Sequence, residues 1–246
     1  MASFSKFKRV KIAQSIYESD FLLSLAHITL HGMAGLAASI KNIAMGCATK
    51  ETKLAMHASE AKPAYNEEKC THCLRCIRIC PGEAFYEEEG RIKYKAAKCV
   101  GCGECIACCP SGAITVPWGS LLAYDVQRGM VDGFKGVISI FGEKVGFINL
   151  GFDITPGCDC VSRSSLPITP DIGIIASEDP LACDKASYDL VIGAPPYPGS
   201  EADKKGIKEG KDKIESLCPD AKPAKLWKLC QKMGLGSLDY ELEVIR

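Results

Sequence analysis

The stretches CTHCLRCIRICP, Cys70–Pro81, and CVGCGECIACCP, Cys99–Pro110, share the pattern C-x2-C-x2-C-x3-C-P at an offset of 29 residues. Thiolates are the ligands that soft metals prefer, and iron–sulfur clusters are held by sets of four. In this spacing a tight loop carries three ligands to one cluster. The fourth thiolate, at the helix that follows, serves the other cluster. The predicted pairing is therefore crossed: Cys70, Cys73 and Cys76 with Cys109, and Cys99, Cys102 and Cys105 with Cys80. Pro81 and Pro110 set the chain direction after each fourth ligand. Zinc ribbons usually show two separated C-x2-C pairs instead, so the spacing predicts two 4Fe–4S clusters.

Over about fifty residues this block resembles bacterial two-cluster ferredoxins, whose motif is of this kind. Its halves differ. The second loop has Gly101 and Gly103, which let backbone N–H groups approach the cluster. The first has His72 and Arg75, with Arg78 nearby, where the second has Glu104. Positive charge favours the reduced, more negative cluster, so the Cys70 cluster is expected to have the higher potential; side chains turned to solvent would be screened. Cys108 is expected to be a packing residue.

Outward from the block the texture is regular. Residues 1–62 and 118–246 read as two parts of one α/β domain, with 63–117 as the ferredoxin-like module inserted between them. SDFLLSLAHITL predicts a buried strand running into a loop, and GMAGLAASIKNIAMG a loop and short helix. KLAMHASEAKP predicts a helix closed by Pro63. AFYEEEGRIKYK predicts a hairpin around Glu-Gly, and AITVPW a short strand. Beyond the block, LLAYDVQRGMVDGF fits an amphipathic helix. KVGFINLGFDI and DIGIIAS are apolar strands suited to burial on both faces. EDPLACDKASYDLVIG carries Asp179 as N-cap, Pro180 at N1 and Gly193 as terminator. GAPPYPGSEADKKGIKEGKD predicts a loop, PAKLWKLCQKMGLG a helix ended by Gly234, and LDYELEVI a last strand.

Thirty basic residues balance thirty acidic ones, which argues against nucleic acid or an anionic membrane as the main partner. FLLSLAHITL is too short to span a bilayer, and the first twenty residues lack a secretory h-region. Fifteen cysteines in a chain read as cytoplasmic predict reduced thiols and metal ligands rather than disulfides. Low-potential clusters suggest an anaerobic setting.

The flanks AHITLHGMAGLAASIKNIAMGCATKETKLAMH, GCDC, PDIGIIASEDPLACDKASYDLV and KMGLG together resemble the uncharacterised Fe–S centre family, domain of unknown function 362, from about Ile16 to Tyr240. The resemblance implies a two-cluster ferredoxin unit inserted in an α/β domain. Family members usually carry a further N-terminal region, so a separate partner chain is expected to supply it. The family also has Lys-Gly between two histidines and a Gly pair further on. Here His27 and His31 flank ITL, and Ala37-Ala38 stands at the Gly pair.

His31, Lys41 and His57 further resemble the lactate racemase family in order and spacing. That likeness implies His31 in acid–base catalysis, Lys41 tethering a nickel-pincer nucleotide and His57 ligating nickel. Core or loop histidines and a solvated lysine are the alternative. His27 and His31 would share a helix face but need not converge in a strand and loop. Cys158 and Cys160 of GCDC read either as extra metal ligands, with His57 or Cys47, or as a loop of reduced thiols. Asp171 and Asp179 lie at strand and helix ends, where α/β sheets border ligand crevices. Cys183, Cys218 and Cys230 are expected in the core. No nucleotide fingerprint is present.

Two functions follow as expectations. One is an electron-transfer protein or redox-complex subunit. The other is an enzyme with its site in the α/β part, fed by the clusters. A bare carrier needs only the cysteine block, so the flanks imply more than carrying.

Overall fold

The computed structural model describes residues 5–58, 62–117, 119, 121–161 and 165–245. In chain order the elements begin with helix α1 (Gln14–Tyr17), strands β1 (Leu22–His27), β2 (Thr29–His31) and β3 (Gly35–Ala37), and helices α2 (Ser39–Gly46) and α3 (Lys50–His57). Strand β4 (Ala64–Tyr65), helix α4 (Arg75–Ile79), strands β5 (Phe85–Glu88) and β6 (Arg91–Tyr94), helix α5 (Glu104–Cys108) and strand β7 (Ile114–Thr115) follow. The chain continues with α6 (Ala123–Phe141), β8 (Val145–Gly151), β9 (Gly173–Ser177), α7 (Pro180–Gly193), α8 (Glu201–Lys204), α9 (Lys213–Leu217) and α10 (Pro223–Lys232). The mixture of helices and strands is α/β, as the sequence predicts.

The main sheet has the order β1-β8-β9, with β1 parallel and β9 antiparallel to β8. Its inner face presents Ser24, Ala26, Phe147, Asn149 and Ile175. Against this face lie α2 and α7; α6, whose Val126, Met130, Phe134 and Val137 are fully enclosed, reaches it through Phe134, 6.3 Å from Phe147 between ring centroids. Burying each such side chain contributes about 2 kcal/mol. α2, α3 and α10 pack on the same long helix. Gly142, with φ +57°, ends α6, and Asp179 caps α7 by accepting from the N–H groups of Leu181 and Ala182 at 2.8 and 2.9 Å.

The outer face corrects the expectation of burial on both sides. Along β8 alternate residues are only partly covered. On its neighbours Leu23 and Leu25 are 51% and 55% exposed, and Ile174 is 64% exposed. The registers Leu25↔Ile148 and Leu150↔Ile174 place these side chains on one face. The apolar run in β8 therefore reflects one packed face and one apolar face left bare.

Three further expectations are corrected. GMAGLAAS holds strand β3, which turns back on β2; its small residues hid a hairpin. GAPPYPGSEADKKGIKEGKD is interrupted by α8, capped by Ser200 Oγ, which accepts from the N–H of Asp203 at 3.2 Å. LDYELEVI forms no strand: it pairs with no sheet edge among the described residues and leaves Val244 and Ile245 exposed. AITVPW shortens to β7, and Trp118 lies outside the described residues, as do residues 59–61 of the expected helix exit.

Among the described residues, the strands between Ala64 and Thr115 pair only with one another, β4 with β7 and β5 with β6. The predicted hairpin forms around Glu89-Gly90, both at positive φ, the geometry two-residue hairpin turns require. Cys76, Phe85, Ile92, Cys105 and Ile114 make a second apolar cluster, separate from the main core.

Candidate functional site

The 29-residue repeat is written in the backbone. His72 and Gly101, Leu74 and Gly103, and Glu83 and Gly112 are register partners, and all six have positive φ between 50° and 74°. Glycine takes this conformation freely, whereas other residues pay about 1–2 kcal/mol. The first two pairs lie in the cysteine loops just ahead of α4 and α5, and the third lies just past the fourth cysteine of each repeat.

Cys70, Cys73 and Cys76 line one small cavity together with Cys109 from the other half. Cys105 is flanked by Cys102, Cys99 and Cys80, and burial with these neighbours pushes its thiol up to about 12. Burial likewise lifts Cys76 to about 11. Cys108 lies near both groups and acts on Cys76 and on Cys105 as well. Among the described residues no three His, Cys, Asp or Glu side chains converge on a point suited to a single ion.

Backbone N–H groups of Ala84 and Gly101 donate to the sulfurs of Cys80 and Cys99 at 3.2 and 3.4 Å. The Tyr94 hydroxyl is buried without a hydrogen bond; burial and the adjacent Cys99 thiol keep it protonated. Tyr65, its register partner, also stands beside its cysteine, Cys70, but its hydroxyl donates to the Ile92 carbonyl at 3.0 Å. Phe85 lies between the two rings, 5.5 Å from Tyr65 and 4.7 Å from Tyr94, centroid to centroid. Sequence reasoning missed these tyrosines, although each precedes its first cysteine by five residues. Cys108 donates to the carbonyl of Cys105 at 3.5 Å, in keeping with a packing role.

A second group forms past the carboxyl ends of the parallel strands β1 and β8. Lys41 Nζ, on α2, is 2.9 Å from Cys158 Sγ. Burial raises the Cys158 thiol, but the Lys41 ammonium, the Cys160 N–H and the Cys160 thiol outweigh it and lower the pKa. Burial and Cys158 raise Cys160. His57 packs close by, its Nδ1 bonded to the Lys53 carbonyl at 2.8 Å. Burial, then the Lys41 charge, then His57 bring His31 down to about 3. His31 Nδ1 accepts from the N–H groups of Met33 and Ala34 at 3.2 and 3.1 Å, so this nitrogen is spent on its own turn.

The family model for the domain of unknown function DUF362 matches residues 2–189. The chain belongs to the DUF362 family. No curated protein and no solved structure matches it.

In this DUF362 chain His31, Lys41 and His57 are close enough to share one electrostatic environment, and Cys158 joins them. The last contact spans 117 residues of chain and no local pattern announces it. His27 does not meet His31; it bridges Asp159 at 2.8 Å and the Phe152 carbonyl at 2.7 Å. Asp171 accepts from the Asp153 N–H and Asp179 from Ser237, so both hold loops. Cys47 is buried, as are Cys183, Cys218 and Cys230.

The two groups approach across α3. Lys50 pairs with Glu104 of α5 at 2.7 Å. An apolar groove beside this pair is lined by Met45, Leu54 and His57 on one side and Gly103, Ile106 and Ala107 on the other.

Proposed function

We propose that this chain is an iron–sulfur electron-transfer protein or redox-complex subunit. A ferredoxin-like module at 63–117, inserted between α/β segments 1–62 and 118–246, would hold two 4Fe–4S clusters. The observation that carries this reading is the cavity shared by Cys70, Cys73, Cys76 and Cys109, since a fourth thiol from the opposite repeat is what a crossed cluster site needs. The buried Tyr94 hydroxyl beside Cys99 supports it, being an unpaired donor next to a sulfur. When bound, the clusters supply one-electron transfer. The chain's own contribution is to hold eight thiolates, to donate N–H groups to them and to exclude water with Phe85 and Ile114.

Arg75 lines the Cys70 cavity, while Glu104 is spent on Lys50. This charge difference favours a higher potential at the Cys70 site. The bare outer face of the main sheet supports a protein partner, because exposed apolar patches of this kind mark interaction sites.

Anaerobic purification with iron, sulfide and EPR analysis tests the reading. About eight iron and eight sulfide per chain, with spin-coupled signals on reduction, are expected; zinc in place of iron after strictly anaerobic handling overturns it.

A second reading is an enzyme whose site lies at Lys41, and the contact with Cys158 favours it. The racemase-like roles of His31 and His57 belong to that reading. It predicts nickel or a bound nucleotide lost on Lys41→Ala.

A further inference from the structure

Cys158 and Cys160 are unlike the core cysteines. Cys158 is 7% exposed and held at 2.9 Å by a lysine ammonium. Cys160 is exposed, and its N–H donates to the Cys158 sulfur at 3.4 Å. Between them Asp159 is anchored by His27 at 2.8 Å, and Thr155 braces the loop by donating to the Gly157 carbonyl at 2.6 Å. The loop thus presents one thiol to solvent and keeps its neighbour within reach, beside a fixed positive charge. An accessible attacking thiol backed by a stabilised thiolate is the arrangement thiol–disulfide exchange uses.

We propose that Cys158 and Cys160 are a redox-active dithiol that reduces an external disulfide and draws its electrons from the two clusters. The second half of this rests on the cluster reading above; the first does not. The exposed Cys160 thiol gives up its proton to solvent as it attacks one sulfur of the disulfide RSSR, forming Cys160–S–S–R and releasing RS⁻, which takes up a proton. The Cys158 thiolate then attacks Cys160 Sγ, closing the 158–160 disulfide and releasing the second RS⁻. The net change converts the dithiol and RSSR to a protein disulfide and two RSH. Restoring the dithiol takes two electrons and two protons from solvent; bound, reduced clusters would supply the electrons, one each. Two one-electron carriers match one two-electron couple. The two sites adjoin through α3: Gly103 of the second cysteine loop and His57 line the same apolar groove, and the Lys41 charge reaches His57.

The test is peptide mapping by mass spectrometry of the full chain, incubated anaerobically with glutathione disulfide. Wild type is expected to gain the 158–160 disulfide and release two glutathione thiols. Cys158→Ser is expected to stop at a mixed disulfide on Cys160. Lys41→Met is expected to close the disulfide at least tenfold more slowly at neutral pH, the gap narrowing in alkali as the thiol ionises unaided. In a second arm dithionite-reduced protein, freed of dithionite, is given the same disulfide. Cluster absorbance is expected to recover by two electrons per disulfide reduced, and not in Cys160→Ser. A chain that holds iron and sulfide but forms no 158–160 disulfide overturns the proposal and leaves the cluster reading standing. A chain that forms the disulfide without iron overturns the cluster reading and the recharging step together. Equal closure rates in wild type and Lys41→Met overturn the role of Lys41.

Discussion

Asp184 ties the fold to the Lys41 site. Its carboxylate is fully enclosed and accepts from the N–H groups of Ser39 and Ile40 at 2.9 and 3.1 Å and from Asn149 Nδ2 at 3.0 Å. It thus fixes the start of α2, which carries Lys41, against β8. Burial pushes the carboxyl up to about 6, against the pull of the three donors. Asp184→Ala orphans three buried donors at ~2 kcal/mol each, about 6 kcal/mol in all. Removing a carboxylate that ionises about two pH units late returns about 3 kcal/mol at neutral pH. The expected net loss is about 3 kcal/mol, a fall in Tm of about 6–12 °C for a chain of this size. Asp184→Asn keeps one oxygen acceptor, orphans roughly one donor and also removes the ionisation cost, so its Tm at pH 7 should lie within about 3 °C of wild type. The sign with pH follows from a folded pKa above the unfolded one. Wild-type stability from this group is greatest below about pH 4, falls as pH rises to about 6 and is level above. Asn should therefore gain about 2.4 kcal/mol on wild type between pH 4 and pH 7. Thermal melts of the three proteins across that range are the assay. An Ala variant within about 1 kcal/mol of wild type, or an Asn–wild-type gap independent of pH, refutes the reasoning.

Other perturbations probe the repeat and the loops. Glu83 has φ +50° and is exposed, where its register partner is Gly112; Glu83→Gly should raise stability by about 1 kcal/mol, and a lower Tm would count against the strain. A Cβ on Gly82 would lie 2.3 Å from the Lys98 carbonyl oxygen. Gly82→Ala should part the two cysteine loops and lower retained iron on desalting, whereas unchanged iron and Tm would contradict it. Desolvation depresses His27, but the Asp159 bond and the Phe152 carbonyl outweigh it and raise the pKa. The bond therefore holds loop 152–159 fully below the unfolded pKa of about 6.5 and weakens as pH rises through the folded value. Hydrogen exchange there, corrected for its intrinsic pH dependence, should speed up over that range in wild type and not in Asp159→Asn.

Local chemistry was legible where it is self-contained. The cap at Asp179, the hairpin at Glu89-Gly90 and the backbone repeat behind the cysteine motifs all depend on residues within a few positions of each other. What stayed hidden depends on distant partners. LDYELEVI alternates like a strand but meets no edge, so alternation alone did not make one. KVGFINLGFDI is apolar on both faces, and only the sheet's surroundings reveal that one is bare. Lys41 and Cys158 meet through the crossing of α2 and the loop after β8. Tyr65 and Tyr94 were within reach of the sequence, since they repeat at the same 29-residue offset as the cysteines.

The crossing of ligands between the two repeats is tested most directly by iron counts in paired variants. Both are made in a Cys108→Ala background, so that the neighbouring thiol does not substitute for a lost ligand. If Cys70 and Cys109 hold the same cluster, Cys70→Ala with Cys109→Ala removes one cluster and leaves about four iron per chain. Cys99→Ala with Cys109→Ala then strikes both clusters and leaves almost none. The reverse pattern, with about four iron kept when Cys99 and Cys109 are removed and almost none when Cys70 and Cys109 are, would contradict the account.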